Sequence, residues 1–166
     1  MGLTTIDYGS WSDLTIGLDV TPLASSATLV AGRESTARDN TSTLADDYLV
    51  AGTIRTGTSP TAGKIEVWAY GEIGSTPDYP DAITGSDGDR TLNSVDIKHA
   101  ALKLVKTLIT DATARNYYFG PTSIAGLFGQ VPPRWGVFVT HNTVAALDTD
   151  AADHRISSLA IKFNNP

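Results

Sequence analysis

Three histidines, His99, His141 and His154, are the side chains best suited to bind a metal or to transfer protons. A zinc site or an acid–base site needs two or more of them close to a carboxylate. His141 and His154 bracket a loop that contains three aspartates, but their spacing matches no metal-binding motif. We therefore interpret the histidines as surface residues near strand ends and predict no metal site.

Other patterns that could support catalysis are incomplete. Residues 85–90 combine glycine and aspartate, but a calcium loop also requires further ligands and a distal glutamate, whereas this run ends at Arg90. No serine lies in the G-x-S-x-G motif of a nucleophile elbow. Most aspartates lie in segments typical of turns, where their side chains accept backbone hydrogen bonds. We therefore expect neither enzymatic activity nor a cofactor.

Composition narrows the class of protein further. The 166 residues include no cysteine, so neither a disulfide framework nor a thiolate metal site can form. The net charge of −6, without a basic cluster, argues against nucleic-acid binding. No apolar run approaches the ~20 residues of a membrane-spanning helix, and the first residues lack the pattern of a signal peptide. We expect a chain that is made in the cytoplasm and binds neither nucleic acid nor a membrane.

Two segments, residues 48–55 and 64–73, show the clearest period-two alternation of half-buried strands. In the second segment, Trp68 and Tyr70 share the polar face. Aromatic rings in that position indicate a platform for sugar rings or for a protein contact, unless a neighbouring sheet or loop covers both faces of the strand. The connector, residues 56–63, contains turn formers and predicts that the two strands form a hairpin. The predicted apolar faces are Tyr48, Val50 and Ile54, and Ile65, Val67, Ala69 and Ile73.

The last third of the chain contains two further β-rich runs, residues 132–143 and 155–163, separated by a polar loop. Short runs of β-branched and aromatic residues bounded by turn formers are typical of strands. We predict that these two strands pair with each other, and that Trp135 is buried where the first begins. The predicted core consists of Val67, Val137, Val139, Leu159, Ile161 and Phe163.

The remaining segments are less regular. Residues 1–13 are interpreted as an amino-terminal arm or edge strand with Trp11 as an anchor, and residues 14–166 as one β-sandwich domain. The polar residues 32–43 predict a loop that makes contacts and becomes ordered on assembly. Residues 74–96, rich in glycine, proline, aspartate and serine, predict a long surface loop.

Shorter elements complete the prediction. Residues 14–20 and 27–31 are strand candidates, and residues 117–119 predict another strand. Residues 97–110 fit both a helical and a strand period, and the β-rich surroundings favour a strand. Residues 123–129 predict one helical turn, with Ser123 as the N-cap. Six to eight short strands with irregular loops favour an all-β, antiparallel two-sheet sandwich of jelly-roll type over an immunoglobulin-type sandwich.

Two groups of motifs in the chain are structural, not catalytic. The first group comprises Ala31–Thr36, Asp39–Thr41 and Asp47–Gly52. The second comprises Phe119–Ala125, Phe128–Gly129, Val131–Pro132, Trp135–Val137 and His141–Thr143. These motifs resemble the small virion structural proteins of tailed bacteriophages, in particular jelly-roll cement or decoration proteins of the capsid, and the resemblance covers most of the chain from about residue 23 onward.

The resemblance implies a protein on the outside of a phage head, made in the host cytoplasm. Its partners would be the major capsid protein and other copies of itself, clustered around symmetry axes, for example as a trimer. A carbohydrate-binding module with Trp68 and Tyr70 as a stacking platform, or a receptor-binding domain of a tail or fibre, is the alternative. The residues expected at an interface are Trp11, Arg33, Glu34, Arg38, Trp68 and Tyr70.

Overall fold

In a computed structural model that describes residues 5–19, 21–75 and 77–164, strands form two antiparallel sheets. The strands are β1 (Thr5–Tyr8), β2 (Ser12–Asp13), β3 (Ala31–Glu34), β4 (Arg38–Asp39), β5 (Asp47–Arg55), β6 (Gly63–Gly71), β7 (Gly88–Thr91), β8 (Lys103–Thr110), β9 (Asn116–Ser123), β10 (Arg134–His141) and β11 (Arg155–Asn164). The helices are α1 (Val95–Ala101) and α2 (Ile124–Phe128), and Ala151–Asp153 form a 3₁₀ turn.

The order of the strands confirms the predicted jelly-roll-like sandwich. The first sheet has the order β1-β11-β5-β9, and β2 also pairs with β11. The second sheet has the order β7-β3-β10-β6-β8, and β4 also pairs with β10. The pairs β1·β11, β3·β10, β5·β9 and β6·β8 place the first half of the chain against the second half in reverse order. This nested pairing across two sheets is the arrangement of a jelly roll.

Two predicted hairpins are wrong. The segments 48–55 and 64–73 correspond to β5 and β6, which belong to different sheets. The final runs correspond to β10 and β11, which also lie in different sheets. A connection rich in turn formers can cross from one sheet of a sandwich to the other, and alternation within a strand does not identify its partner.

The predicted core is correct in part. Val67, Val137 and Val139 are fully buried between the sheets, as is Trp135, whose ring centroid lies 5.1 Å from that of Tyr48. The apolar face predicted for residues 48–55 is likewise buried. Ile73, in contrast, follows the end of β6 and is 67 % exposed, so its place on the apolar face of that strand is wrong.

The closing strand β11 places its apolar residues differently from the prediction. Ile156 lies in the core between the sheets. Leu159 and Ile161 are an odd number of residues from Ile156, so their side chains point to the other face of the strand, where they are buried outside that core. Phe163 points to the same face as Leu159 and Ile161 but is 53 % exposed, so its assignment to the core is wrong. Period-two alternation assigns these residues to one face without identifying which face is covered.

Irregular segments differ from the prediction in several places. Residues 14–19 form no strand, although Leu14 and Leu18 are buried, and Val20 lies outside the described residues. The strand candidate at residues 27–31 begins only at Ala31, as β3. Residues 97–110 contain both elements that the pattern allowed, because α1 precedes β8.

A serine caps the amino-terminal end of each of the two short helices. Ser94 caps α1 by accepting a hydrogen bond from the backbone N–H of Ile97. The predicted turn at residues 123–129 is confirmed as α2, where Ser123 accepts from the N–H of Gly126. Gly129 ends this helix with φ +85°, a left-handed conformation that glycine adopts without steric cost.

The described residues between β6 and β8, 72–75 and 77–102, are called the cover. Apart from β7, which is an edge strand of the second sheet, they lie over the outer face of that sheet, include α1 and bury a second apolar cluster against it. Trp68 and Tyr70 are therefore 5 % and 0 % exposed, and their predicted role as an exposed aromatic platform is wrong. The predicted surface loop 74–96 is likewise part of a packed layer. The cluster consists of Trp68, Tyr70, Tyr79, Ile83, Leu92, Leu102 and Phe138.

A buried ion pair attaches α1 of the cover to β6. The Nζ atom of Lys98, a residue that is 1 % exposed, lies 2.8 Å from Oε2 of Glu66 and donates to the carbonyl of Leu29 at 2.7 Å. The indole N–H of Trp68 donates to the same Glu66 oxygen, and Lys64 pairs with the other. Burial acts to raise the pKa of Glu66, but the hydrogen bonds from Lys64, Lys98 and Trp68 hold it below its usual value.

A second buried carboxylate holds the middle of the cover. Glu34, at the end of β3, is fully buried and accepts hydrogen bonds from the backbone N–H groups of Thr84 and Gly85 and from the Thr84 hydroxyl. The guanidinium of Arg90 lies 2.5 Å from the same carboxylate. Tyr70 contributes nearby by donating its hydroxyl to the Ser35 carbonyl, and burial raises the pKa of that hydroxyl. A buried carboxylate with this many donors ties the cover to the sheet.

We expect Gly32→Ala to destabilise the fold because a β-carbon there would overlap the Val139 carbonyl and lie 2.5 Å from Cζ of Phe138. Overpacking of this kind costs about 1–3 kcal/mol of unfolding free energy in chemical denaturation. The matched control is Gly120→Ala, where no atom lies within 4 Å of the new β-carbon and the change should be within about 0.5 kcal/mol. Equal losses in both variants would contradict the packing at Gly32.

We also expect Glu66→Leu to cost about 3–5 kcal/mol, because it leaves the buried ammonium of Lys98 without its carboxylate partner. The double variant Glu66→Leu/Lys98→Met removes both charges and should recover at least half of that loss in urea unfolding. A double variant that is less stable than Glu66→Leu alone would show that the ion pair is not the dominant interaction. Asp111→Leu, which alters an exposed pair with Arg115, serves as a control with little expected effect.

Candidate binding face

The outer face of the first sheet differs from that of the second because no segment like the cover lies over it in the described part of the chain. Along β5, Tyr48, Val50 and Ile54 point inward and are buried. The intervening residues, among them Ala51 and Thr53, point outward and are partly exposed. The first sheet therefore presents an outer face that is accessible in part, since Leu159 and Ile161 on the same side of β11 are buried.

This accessible face carries exposed aromatic and aliphatic side chains. Tyr8 is 60 % exposed, Trp11 43 % and Tyr118 69 %. By register, Tyr8 is opposite Ile161, and Ile6 is opposite Phe163. Large exposed aromatics are typical of protein interfaces and of sugar-binding surfaces. We call the surface formed by Ile6, Tyr8, Trp11, Tyr118 and Phe163 the open face.

A groove of about 370 Å³ crosses the open face between Trp11 and Tyr118. Its floor consists of the central part of β5, and β11 contributes the side opposite β9. A groove of this volume accommodates one bulky side chain or one sugar ring. The lining residues are Trp11, Ala51, Gly52, Thr53, Tyr118, Phe119, Arg155 and Ser157.

Gly52 of β5, one of the residues that line the groove, has no room for a side chain. A β-carbon on Gly52 would lie 2.5 Å from the Arg155 carbonyl oxygen and 2.9 Å from the Phe119 ring. The Phe119 side chain, only 4 % exposed, fills that space and belongs to the core between the sheets. A register shift between Val50 and Gly52 accompanies this contact. Glycine is thus required by the close approach of Phe119 and β11.

One side of the groove is polar. Asp13 accepts hydrogen bonds from the Ser157 hydroxyl at 2.5 Å and from Nε of Arg155 at 2.8 Å. The hydrogen bond from Ser157, together with that from Arg155, holds the pKa of Asp13 below its usual value. The Arg155 side chain remains 65 % exposed. The groove therefore combines aromatic walls with donors that a ligand could reach.

The amino-terminal segment is attached to the first sheet at several points. Gly9 donates its N–H to the Ala160 carbonyl, and Leu14 donates to the Ile156 carbonyl. The guanidinium of Arg38 donates to the backbone carbonyls of Ser12 and Asp13. Arg38, predicted as an interface residue, therefore positions the segment that carries Trp11. Residues 1–4 of the predicted arm lie outside the described residues.

Two other predicted interface residues lie away from the open face. Arg33 is 9 % exposed, and its guanidinium makes two hydrogen bonds to the Asp87 carboxylate, at 2.8 and 3.0 Å. Glu34 is fully buried beneath the cover. Partial burial acts to raise the pKa of Asp87, but the hydrogen bonds from Arg33 and from the Gly17 N–H hold it below its usual value. The predicted contact role of Arg33 and Glu34 is wrong, because both side chains are used within the fold.

Of the histidines that were predicted at the surface, His141 differs from the prediction. His141 is fully buried, and its ring nitrogens lie 2.9 Å from the Leu23 carbonyl and 2.9 Å from the Thr143 hydroxyl. Burial lowers its pKa, while the hydrogen bond to Leu23 acts in the opposite direction. His99 is exposed and stacks on Trp68. Within the described ranges, no group of three or more His, Cys, Asp or Glu side chains could hold a metal ion.

Sequence reasoning identified Trp11 but missed the other members of the open face. Tyr118 was recognised only as part of a strand, and Phe163 was assigned to the core. Strand β9 lies at the edge of the first sheet, so its outward residues receive no cover. Its Tyr-Tyr-Phe run, which places Tyr118 on the side opposite to Phe119, was the available signal.

Comparison of the chain with protein-family models, with curated proteins and with solved structures finds no match. Among the residues that the structure describes, no helix is both long and apolar enough to span a bilayer.

We expect Trp11→Ala and Tyr118→Ala to change the free energy of unfolding by less than about 1 kcal/mol each, because both rings are substantially exposed. Trp135→Ala, the matched change of a fully buried ring, should cost about 3–5 kcal/mol. Urea unfolding of the three variants checks this difference. A loss of several kcal/mol from Trp11→Ala or Tyr118→Ala would mean that the open face serves the fold itself.

Proposed function

We propose that this chain is a non-enzymatic structural protein of a bacteriophage virion that decorates the outside of the head. It stabilises the head by binding subunits of the major capsid protein through the open face. The observation that carries the proposal is the difference between the two sheets: the cover buries the outer aromatics of one, whereas the other presents Tyr8, Trp11 and Tyr118 to a partner.

The chemistry of the open face supports a protein partner. Burial of exposed aromatic rings is a main source of interface energy, since each ring removes a large apolar area from water. The pair formed by Asp13 and Arg155 provides a polar rim at the edge of the groove. On a particle the same contact is repeated many times, so a modest affinity per copy can stabilise the whole shell.

The sequence motifs support a capsid protein as the proposed partner. The segments that resemble phage decoration proteins coincide with structural elements: Ala31–Glu34 is β3, and the segment Trp135–Val137 lies in β10. Both belong to the second sheet, which supports the fold, and the open face lies on the first. We propose that copies of the protein cluster around symmetry axes of the head, with a trimer as one such arrangement.

A second candidate function is carbohydrate or receptor binding at a tail or fibre. Trp68 and Tyr70 no longer support it, because both are buried. The groove between Trp11 and Tyr118 supports it instead, because two exposed rings flank a cavity that could hold a sugar ring. In this case a glycan array should give a hit that Tyr118→Ala abolishes.

The decisive experiment uses phage particles that lack the protein and measures their loss of infectivity on heating. Adding back the purified chain should restore heat resistance, and a Trp11→Ala/Tyr118→Ala variant should restore much less. Ile109→Ala is the matched control, since Ile109 is 74 % exposed on β8 of the second sheet. It should restore resistance fully.

Three results would contradict the proposal. Particles without the protein could be as heat-resistant as complete ones, or the double variant could restore resistance as well as the unaltered chain does. Alternatively, Ile109→Ala could be as defective as the double variant, which would place the contact on the second sheet. A glycan hit together with no effect on particles would favour the second candidate.

A further inference from the structure

Apart from the two-residue strands β2 and β4, the described part of the two sheets has four outermost strands, and these differ in how they are protected against pairing with another chain. The first sheet ends at β1 and β9, and the second at β7 and β8. An outermost strand presents unpaired backbone N–H and C=O groups, so proteins usually blunt it with proline, lysine, charge or a bulge. The absence of such protection indicates an edge that accepts a strand.

Three of the four edges carry such protection. Strand β9 contains Pro121, which has no N–H to donate. Strand β8 carries Lys103 and Lys106, and its register against β6 shifts beside Trp68. Strand β7 is four residues long, and two of them are Asp89 and Arg90.

Strand β1 has fewer of these features. It is as short as β7 and carries one charge, Asp7, but it includes no proline or lysine, and its register against β11 is regular. Threonine, isoleucine and tyrosine are all favoured in strands. All four residues are exposed. The edge formed by β1 is therefore the least protected of the four.

The pairing of β1 with β11 shows which backbone groups are free. Gly9 donates its N–H to Ala160, so the pair formed by these two residues is a hydrogen-bonded pair of the antiparallel ladder. Because such pairs alternate, Asp7 and Lys162 bond to each other, whereas Ile6 and Tyr8 direct their N–H and C=O groups away from β11. Within the described part of the chain, these four groups have no hydrogen-bond partner.

We propose that β1 binds an extended segment of a partner protein as an additional antiparallel strand of the first sheet. Ile6 and Tyr8 would exchange four backbone hydrogen bonds with it. Residues of the segment opposite Ile6 and Tyr8 would extend the open face, and their side chains would be apolar. This binding mode goes beyond the decoration role and does not depend on it.

The charge of Asp7 determines the chemistry of the segment. A second copy that used all four free groups would place Asp7 directly opposite Asp7 of the partner copy, at a Cα separation of about 4.5 Å, where like charges are unfavourable. A segment with lysine or arginine at that position would instead form a favourable pair with Asp7, on the side away from Lys162 of β11. The net charge of −6 also favours a cationic segment over a second copy. The occupant is thus a segment that alternates apolar and basic residues.

The test uses the full chain and a short capped peptide that alternates valine and lysine. NMR measures amide hydrogen exchange with and without the peptide. At about three times the peptide's dissociation constant, exchange of the Ile6 and Tyr8 amides should slow about fourfold, since the free fraction falls by that factor. The Asp7 amide, already bonded to Lys162, should change little.

Two controls keep the result specific. A peptide with glutamate in place of lysine should bind about two- to fivefold more weakly, and Asp7→Asn should remove this preference without removing binding. No slowing at Ile6 and Tyr8 with millimolar peptide would overturn the proposal, as would slowing confined to β8 or β9. A dimer of the free protein that already protects both amides would also overturn it, in favour of a second copy.

Discussion

The structure depends on how the outer face of its second sheet, which the sandwich itself does not bury, is shielded from water. A sheet in a sandwich packs one face against the other sheet, and its outer face must be polar, covered or used. Here β6 and β10 place Trp68, Tyr70 and Phe138 on that face, which would be a costly exposure in water. The cover buries them, and the buried carboxylates of Glu34 and Glu66 hold it in place by accepting hydrogen bonds from Thr84, Gly85 and Lys98.

This solution leaves the two outer faces of the molecule unequal. Arg33 and Glu34, which were predicted to make external contacts, instead form hydrogen bonds that hold the cover and the segment around Gly17 in place. The exposed rings are on the other sheet, on strands at its edge and on the amino-terminal segment that Arg38 positions. The buried cluster beneath the cover and the exposed rings thus lie on opposite sides of the sandwich.

The sequence predicted the sandwich and the strands with strong alternation, because alternation reports directly on a half-buried strand. It could not predict which strands pair, since β5 and β6 are neighbours in sequence yet lie in different sheets. It also could not predict which face of a strand is buried. Trp68 and Phe163 both lie in strands with period-two alternation, but Trp68 is buried beneath the cover and Phe163 is exposed. What decides between them is a packing contact from residues distant in sequence, and local pattern carries no information about such a contact. For the same reason, the local pattern could not predict the close contact between Gly52 and Phe119.

We propose above all that the protein binds its partner through the open face while the cover remains turned away. An electron cryomicroscopy reconstruction of the particle, with this chain placed in the density, is the sharpest test. We expect Tyr8, Trp11 and Tyr118 to face the capsid shell and the cover to face solvent. Density that places the cover against the shell and the open face in solvent would contradict it, as would a complete particle that contains no density for the chain.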